Sequence, residues 1–293
     1  MRIWPQCIPC IYSARAREVL TSDIPDREKV FVLTALAAEL SRANPFSSTI
    51  RLATETYRLV KQGTRNRDPY YEFKRESNKL VAERLLPLLK EKVERLAGYE
   101  LFRELLVASI AVNSLDPGVP GYEKLEVNLN VKLGRDESRE AYELLKRATR
   151  VVYALDNAGE ALVDLEVVKL LRNMGVEVWV LAKSQPYQND VTLEEAVELG
   201  FAEYARVVGT GSDAAGPILG ELSSEALDAI STADVIIAKG MAAFESFEEW
   251  TPSKPVVHVL RAKCVPVAAA VGVGVGEGAI ALRKPALARN ASF

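Results

Sequence analysis

Two pairs of acidic and amide residues each follow a short apolar segment of β type. Asp156-Asn157 comes directly after the run VVYAL, and Asn189-Asp190 lies soon after the run EVWVL. Open α/β sheets place their ligands at the carboxyl ends of parallel strands, so both pairs are expected at one edge of a sheet. Oxygen ligands suit a hard divalent cation such as Mg²⁺ or Mn²⁺, which keeps other positions for water and substrate phosphate oxygens. The pattern predicts metal-assisted phosphate chemistry.

A purely structural role is open for each pair taken alone. Asp-Asn and Asn-Asp pairs are common helix caps and turn formers, and both pairs here precede amphipathic segments, over residues 160–174 and 191–199. Their occurrence on consecutive strand–helix units favours a site. Helix N-termini beside both pairs would also add backbone N–H donors for an anion.

Lysines and a polar loop follow the other predicted strands. Lys239-Gly240 follows one strand, and Lys263 follows another. Ser212 and Asp213 lie in a glycine-containing, donor-rich loop after a third strand and are expected to bind the substrate. A lysine ammonium suits phosphate oxygens, and glycine permits close approach of the backbone to a ligand. Exposure to solvent without a binding role stays open for each lysine, because lysines are mostly exposed.

The three cysteines and the single histidine allow several interpretations. Cys7 and Cys10 form a Cys-x-x-Cys pair, and Cys264 follows a late strand. A structural metal site, a disulfide between Cys7 and Cys10, and free buried thiols all stay open, although three thiolates would need a fourth ligand to complete a zinc site. His258 lies inside a strand-like run, where core packing or a satisfied hydrogen bond is expected.

The composition indicates an ordinary globular chain. Its 293 residues are 48% hydrophobic and 26% charged, which is enough for one large domain or two modest ones. The net charge of -3 gives no basic signature for nucleic acid, so a small metabolite is the expected partner. The sequence shows neither a signal core nor an apolar stretch that could span a bilayer, so a cytoplasmic location is expected. The oligomeric state cannot be deduced.

The hydrophobic pattern divides the chain into a helical region, residues 1–147, and an α/β metal- and phosphate-binding region, residues 148–293. Helical spacing covers residues 11–20, 27–42, 47–62, 70–96, 99–112 and 137–147. Strand-like runs then cover residues 151–155, 177–181, 206–208, 234–238 and 256–260, with helical segments at 160–174, 193–199 and 223–231. This alternation predicts a mostly parallel, three-layer α/β/α domain of Rossmann-like type.

Nucleotide-binding fingerprints are missing from this pattern. The glycine-rich run at residues 271–278 has neither a Walker lysine nor a following Ser or Thr, and it fits a twisted strand or loop better than a phosphate cradle. The sequence DNAG stands after the first of these strands, where a dinucleotide-binding enzyme would have its glycine fingerprint.

The ordered motifs resemble the damage-control phosphatase family, formerly domain-of-unknown-function family 89. The resemblance covers nearly the whole chain and rests on DNAGE at 156–160, NDVT at 189–192, AKG at 238–240 with Phe244-Glu245, and the Cys-x-x-Cys pair combined with Lys263-Cys264. Two segments of the helical region extend it, around Glu76 and Asn78 and around Asn113 and Asp116. Val112 and the segment MAA at 241–243 depart from the family pattern, and these departures bear on the substrate more than on the reaction.

The resemblance implies a role for each of these motifs. The implied metal ligands are Asp156, Asn157 and Asp190, with Asn189 shaping the turn, and Lys263 takes the place of an active-site lysine. Lys239 and the loop from Gly240 to Phe244 would contact the substrate, and the segments with Glu76, Asn78, Asn113 and Asp116 would line the cleft. Manganese, magnesium, cobalt or nickel would serve as the metal, and sugar phosphates and related metabolites as substrates.

The resulting hypothesis is hydrolysis of phosphomonoesters, with attack by an aspartate or by water left open. Two other hypotheses are an S-adenosylmethionine-dependent carboxyl methyltransferase, suggested by a claim about a distant branch of the family, and a thiol-based metal or redox module using Cys7, Cys10 and Cys264. The first strand is not followed by a glycine-rich adenosyl loop, which argues against methyl transfer.

Overall fold

The computed structural model describes residues 1–127 and 130–285. Helices dominate its first part, and they begin and end at the following residues: α1 Cys7–Leu20, α2 Asp26–Leu40, α3 Thr49–Thr64, α4 Tyr71–Leu80, α5 Leu86–Val93 and α6 Gly98–Val112. None of the helices in the described ranges combines the length and apolarity needed to cross a membrane.

The helix predicted over residues 70–96 is interrupted by a change of winding. A π-helical turn, Val81–Leu85, separates α4 from α5, and the Leu86 N–H donates to the carbonyl of Val81. Pro87 explains the change, because a proline has no N–H and its ring pushes away the carbonyl four residues earlier.

The second part alternates strands and helices. In chain order these are β1 Leu133–Asp136, α7 Ser138–Leu145, β2 Arg150–Ala154, α8 Glu160–Asn173, β3 Glu177–Ala182, α9 Leu193–Glu198, β4 Arg206–Gly209, α10 Ser224–Thr232, β5 Val235–Lys239, α11 Gly240–Glu249, β6 Val256–Arg261, α12 Val265–Val271 and β7 Gly278–Arg283, with a short 3₁₀ turn at Phe201–Glu203. The five strands predicted from apolar runs are β2 to β6. Strands β1 and β7 and helices α11 and α12 were not predicted.

All seven strands of the described residues form one sheet in the order β1-β7-β6-β5-β2-β3-β4. Neighbouring strands are parallel except β6 and β7, which pair antiparallel. The mostly parallel α/β fold with a helical N-terminal region is therefore confirmed. The division at residues 147 and 148 stays a prediction, and β1 joins the sheet from before it.

The sheet is covered on both faces. Alternate residues of β2 point to opposite sides: Val151 and Tyr153 pack with α6 and α8, whereas Val152 and Ala154 pack with α10 and α11. Strands buried on both faces read as continuous apolar runs, which explains why the central strands were evident from the sequence.

The chain changes direction across the sheet between β2 and β5. Strands β2, β3 and β4 follow one another towards one edge, and β5 then lies on the other side of β2. The loops after β2 and β5 diverge to opposite faces at such a point, and this leaves a crevice at the carboxyl ends of the strands. The residues after these two strands are Leu155-Asp156 and Gly240.

Candidate metal and phosphate site

The two loops that carry the predicted metal ligands are joined to each other by backbone hydrogen bonds. The Val191 N–H donates to the Asp156 carbonyl at 2.9 Å, and the Ala158 N–H donates to the Asn189 carbonyl at 2.8 Å. Asn157 and Asp190 form an isolated antiparallel bridge between them. Asp156, Asn157 and Asp190 are thus brought together, as the sequence predicted they would be.

Asn189 points away from this bridge. Its side-chain amide donates to the Leu115 carbonyl at 2.9 Å, and its side chain is buried. The residue therefore ties the second loop to the segment that follows α6.

Asp156 and Asp190 are buried carboxylates. Burial, together with repulsion from Asp190 and Glu160, raises the pKa of Asp156 well above its usual value. Burial also raises the pKa of Asp190 to about 7, against the opposing attraction of Lys183. Two crowded carboxylates that resist ionisation in the protein alone are what a bound divalent cation would stabilise in the charged form.

The implied ligand set fits a hard cation. The described ranges contain no group of three or more His, Cys, Asp or Glu side chains arranged to hold a metal ion. Asp156, Asp190 and the amide of Asn157 supply two carboxylates and one neutral oxygen, and this set leaves positions for water and substrate oxygens. The donor chemistry is that of Mg²⁺ or Mn²⁺, and it differs from a closed structural zinc site.

Lys183 was not singled out from the sequence. It follows β3, its ammonium lies 3.4 Å from Asp190 Oδ2, and it donates to the carbonyls of Ala214 at 2.7 Å and Ala215 at 2.5 Å. The side chain of Lys183 is buried. Its contacts offset the charge of Asp190 and hold the loop after β4 in place. Its position just after a strand end was the available signal.

Helix α4 fastens both ligand loops. The Asn78 side-chain oxygen accepts from the Gly159 N–H at 2.6 Å. One helical turn earlier, the buried Lys74 lies 2.6 Å from Glu195, which in turn accepts from the Thr192 N–H at 2.8 Å. Asn78 was predicted as a cleft residue, and the structure shows it holding the backbone of the first loop. Glu76, predicted with it, is exposed on the same helix.

Asn113 connects Asp156 to a buried polar network. Its side-chain nitrogen donates to Asp156 Oδ2 at 2.8 Å and to Glu160 Oε2 at 2.6 Å. Glu160 pairs with Lys239, and Lys239 lies 3.2 Å from Asp164. Lys239 was predicted to contact the substrate, but its side chain is completely buried and directed to these carboxylates.

Gly240 begins α11, so the segment predicted as a substrate loop, residues 240–244, is instead the first turn of a helix. Gly240 has a φ of +73°, and a Cβ atom added to it would overlap the Asp156 carboxylate. The glycine therefore permits the close approach of β5 to Asp156, which is a steric requirement distinct from ligand contact.

Lys263 forms an ion pair with Asp116, close to the two carboxylates. The Lys263 ammonium lies 2.6 Å from Asp116 Oδ2, and the lysine side chain is buried. Lys263 also attracts the charge of Asp156. The pair places a cation close to the carboxylates, where a phosphate group would need one.

A cleft with a cavity volume of about 140 Å³ opens beside the loops that carry the predicted metal ligands. These loops and Asp116 line one part of it, and Ile11 of α1 together with Thr49, Ile50 and Ala53 of α3 line another. The N-terminal helices therefore form part of the wall around the space in which a substrate would lie.

The cysteines line the same cleft as free thiols. Cys7, Cys10 and Cys264 do not form a disulfide in the structure. Burial raises the pKa of all three thiols, that of Cys264 to about 12, and Glu245 contributes to each increase. Glu245, which also lines the cleft, has a pKa raised by burial to about 7. The protonated thiols are poor nucleophiles at neutral pH.

Ser212 and Asp213, which were predicted to bind the substrate, lie apart from the loops that carry the predicted metal ligands. Asp213 forms ion pairs of 2.7 Å with Arg58 and 2.6 Å with Lys61, in a surface depression separate from the cleft. The Ser212 hydroxyl accepts from the Ala214 N–H at 3.2 Å. The structure shows both residues organising the loop after β4.

His258 packs in the core. Its ring lies edge-on to Phe244 at 5.1 Å, and burial lowers its pKa to about 3. The ring is therefore neutral, as core packing requires.

Comparison with known proteins shows similarity to damage-control phosphatases over most of the chain. The family model of the damage-control phosphatase ARMT1-like domain matches residues 3–278. A damage-control phosphatase of Archaeoglobus fulgidus is 32% identical over 94% of this chain and 98% of its own length. One from Pyrococcus horikoshii is 31% identical over 92% of this chain and 93% of its own length.

The fold is also similar to a solved structure. The crystal structure of a DUF89 family protein from Pyrococcus horikoshii superimposes with a TM-score of 0.81 at 26% sequence identity, covering 96% of this chain and 98% of that one. The similarity thus extends over both the helical and the α/β regions.

Proposed function

Because the chain belongs to the damage-control phosphatase ARMT1-like domain family, we propose that it is a divalent-metal-dependent phosphatase of small phosphorylated metabolites such as sugar phosphates. The observation that carries the metal dependence is the pair of crowded, buried carboxylates Asp156 and Asp190 on two loops that are hydrogen bonded to each other. Lys263, whose partner Asp116 lines the same cleft, supplies the positive charge that a phosphate group needs.

The reaction breaks the phosphorus–oxygen ester bond of the substrate with one water molecule and yields an alcohol and inorganic phosphate. Manganese, magnesium, cobalt or nickel, held by Asp156, Asn157 and Asp190, would supply Lewis-acid stabilisation of the phosphate oxygens. Phosphoryl transfer depends mainly on positioning and charge stabilisation, so this chain needs no Ser-His-Asp triad.

The residues around the loops have separate tasks in this mechanism. Lys263 leaves its pairing with Asp116 in part and binds the phosphate, where it neutralises charge that develops during transfer. Asn113 holds one oxygen of Asp156 and Lys183 offsets Asp190, so both carboxylates keep fixed orientations. The walls from α1 and α3 exclude water from the organic part of the substrate.

Hydrolysis of p-nitrophenyl phosphate and of a panel of phosphorylated metabolites, each with Mn²⁺, Mg²⁺, Co²⁺ or Ni²⁺, tests the proposal. We expect Asp156→Ala and Asp190→Ala to lower kcat/KM by at least about 100-fold. Asp228→Ala, an exposed aspartate on α10, serves as the matched control and should keep wild-type activity. Wild-type rates in the two site variants, or equal rates with chelator and with metal, would contradict the proposal.

A parallel assay with labelled S-adenosylmethionine and carboxylate acceptors separates the methyltransferase hypothesis. Methyl transfer without phosphate release would replace the proposed function. Nothing in the geometry of residues 1–127 and 130–285 favours that activity, because the segment after β2 carries the carboxylate of Asp156 where an adenosyl loop would need glycines.

A further inference from the structure

A cluster of charged and polar side chains lies fully buried beside Asp156. Lys239 ends β5, Glu160 and Asp164 lie one turn apart on α8, and Ser109 and Asn113 lie one turn apart at the end of α6. Each of the five has a relative exposed area of 0%. Burying a charge is costly unless it is paired, so this cluster depends on its internal contacts.

Lys239 supplies the positive charge against both carboxylates. It donates to Glu160 and to the Ser109 hydroxyl, and it lies 3.2 Å from Asp164 Oδ1. Asp164 Oδ1 also accepts from Ser109 at 2.7 Å and from the Tyr153 hydroxyl at 2.7 Å. Without Lys239, the two carboxylates of α8 would lie one turn apart and unpaired against α6, in a region closed to water.

Asn113 links this cluster to Asp156 by hydrogen bonds. A side-chain amide nitrogen has two hydrogens, and both are engaged here, one by Glu160 Oε2 at 2.6 Å and one by Asp156 Oδ2 at 2.8 Å. The amide plane is therefore set by Glu160, which is itself held by Lys239. This arrangement directs one oxygen of Asp156 to Asn113 and leaves the other for the cleft.

We propose that Lys239 is a positioning residue for Asp156, acting through Glu160 and Asn113, and that it does not contact the substrate. The proposal rests on the proposed function only in assigning Asp156 to the reaction. The chain of contacts itself concerns the protein without metal or substrate.

Three variants separate positioning from substrate contact. Lys239→Met removes the charge at similar length. Glu160→Gln keeps an acceptor for Asn113 and gains a donor for Asp164. The double variant Lys239→Met/Glu160→Gln removes one positive and one negative charge together, so it also guards against misfolding of the single lysine variant. Lys146→Met, an exposed lysine after α7, is the control for loss of a lysine charge.

The first measurement needs no activity. In protein with ¹⁵N-labelled asparagine, the Asn113 side-chain amide, assigned by its loss in Asn113→Ala, should exchange slowly with water. We expect exchange to accelerate by at least about tenfold in Lys239→Met and to slow again in the double variant, because the side-chain oxygen that remains after Glu160→Gln can still accept from Asn113. An Asn113 amide that Lys239→Met leaves unchanged would overturn the proposal, even if the wild-type protein proves inactive as a phosphatase.

The second measurement is the affinity for Mn²⁺ by titration, together with steady-state kinetics on p-nitrophenyl phosphate at saturating Mn²⁺. Loss of a positioning contact typically costs about 10- to 100-fold in metal affinity or activity, so Lys239→Met should show that loss with KM within about twofold of wild type. The double variant should recover most of it, and Lys146→Met should match wild type. A raised KM with unchanged kcat, or no recovery in the double variant, would assign Lys239 to the substrate and refute positioning.

Discussion

Asp156 is surrounded by contacts of different kinds at the level of single residues. Asn113 fixes one of its oxygens, Asp190 repels its charge, and Gly240 packs against it without a side chain. The sequence identified Asp156 and Gly240 from their places after apolar runs. It could not identify Gly240 as a steric requirement of Asp156, because that contact joins two strands far apart in the chain.

Replacing Gly240 with alanine tests this steric requirement. The positive φ disfavours alanine by about 1 kcal/mol or more, and the added methyl group would also displace the Asp156 carboxylate. We expect Gly240→Ala to lower phosphatase activity at least about tenfold. Kinetic assays with p-nitrophenyl phosphate, beside thermal unfolding, measure both effects.

Gly175→Ala is the matched control for that variant. Gly175 has a φ of +85° and open space around its Cβ position, so the backbone strain is similar and the overlap is missing. Equal loss of activity in the two variants would show that backbone strain alone, and not the contact with Asp156, accounts for the effect.

At the level of elements, α4 does more than line the helical region. Asn78 and Lys74, which are one turn apart on this helix, hold the loop after β2 and the start of α9, so one helix sets the spacing of both ligand loops. The sequence placed these residues on a helix. It could not show the direction of their side chains, because their partners Gly159 and Glu195 belong to the other half of the chain.

Removing the Asn78 side chain tests the role of α4. Asn78→Ala leaves the buried N–H of Gly159 without an acceptor, which should lower the free energy of unfolding by about 1–3 kcal/mol. Activity should fall as well, because the Asp156 loop loses its anchor. Urea unfolding followed by circular dichroism, with kinetics on the same samples, measures both; Glu72→Ala, an exposed change on the same helix, is the control. An Asn78→Ala protein as stable and active as this control would show that α4 does not hold the loop.

For the whole molecule, the sequence predicted what depends on local pattern. The parallel strands β2 to β6 are apolar runs because both sheet faces are covered, and the acidic and amide pairs that follow β2 and β3 were expected at one edge of the sheet. Strand β1, with the sequence LGRD, lacks that pattern. Strand β7 has a short apolar run, but this run directly follows the glycine-rich segment, and the pairing of β7 with β1 and β6 depends on tertiary contacts. The ion pairs of Lys183 with Asp190 and of Lys74 with Glu195 were likewise not predictable from the sequence, because only the folded chain brings these partners together.

The buried carboxylates should lower the stability of the metal-free protein, because their charged forms are unfavourable in the folded state. The pKa of Asp156 is raised in the folded state above its ordinary value of 3.8, so the unfolded chain releases this proton first as pH rises. Asp156 therefore destabilises the folded protein above about pH 3.8, where the unfolded chain is already ionised. The penalty vanishes below that pH, where the carboxyl is protonated in both the folded and the unfolded protein. We expect Asp156→Asn to raise the melting temperature at pH 8 and to have little effect below about pH 4.

The same variant should lose stabilisation by metal. A ligand that binds only the folded state raises the melting temperature by mass action, so Mn²⁺ should raise that of the wild type and not that of Asp156→Asn. Differential scanning calorimetry at pH 8, with and without Mn²⁺, measures both effects. Asp228→Asn is the control, and Mn²⁺ should raise its melting temperature as much as that of the wild type. A wild-type melting temperature that Mn²⁺ leaves unchanged, or an equal increase in Asp156→Asn, would contradict the assignment of Asp156.

The wall that α1 and α3 contribute to the cleft has a consequence for how substrate preference can change. Ile11 and Ile50 face the space beside the loops that carry the predicted metal ligands, but they belong to helices outside the sheet that carries those loops. In the proposed phosphatase, substitutions there would change the space for the alcohol part of the substrate without altering the groups that act on its phosphate. We therefore expect substitutions at Ile11 and Ile50 to change which phosphoesters are accepted while the groups that carry out the proposed reaction stay the same.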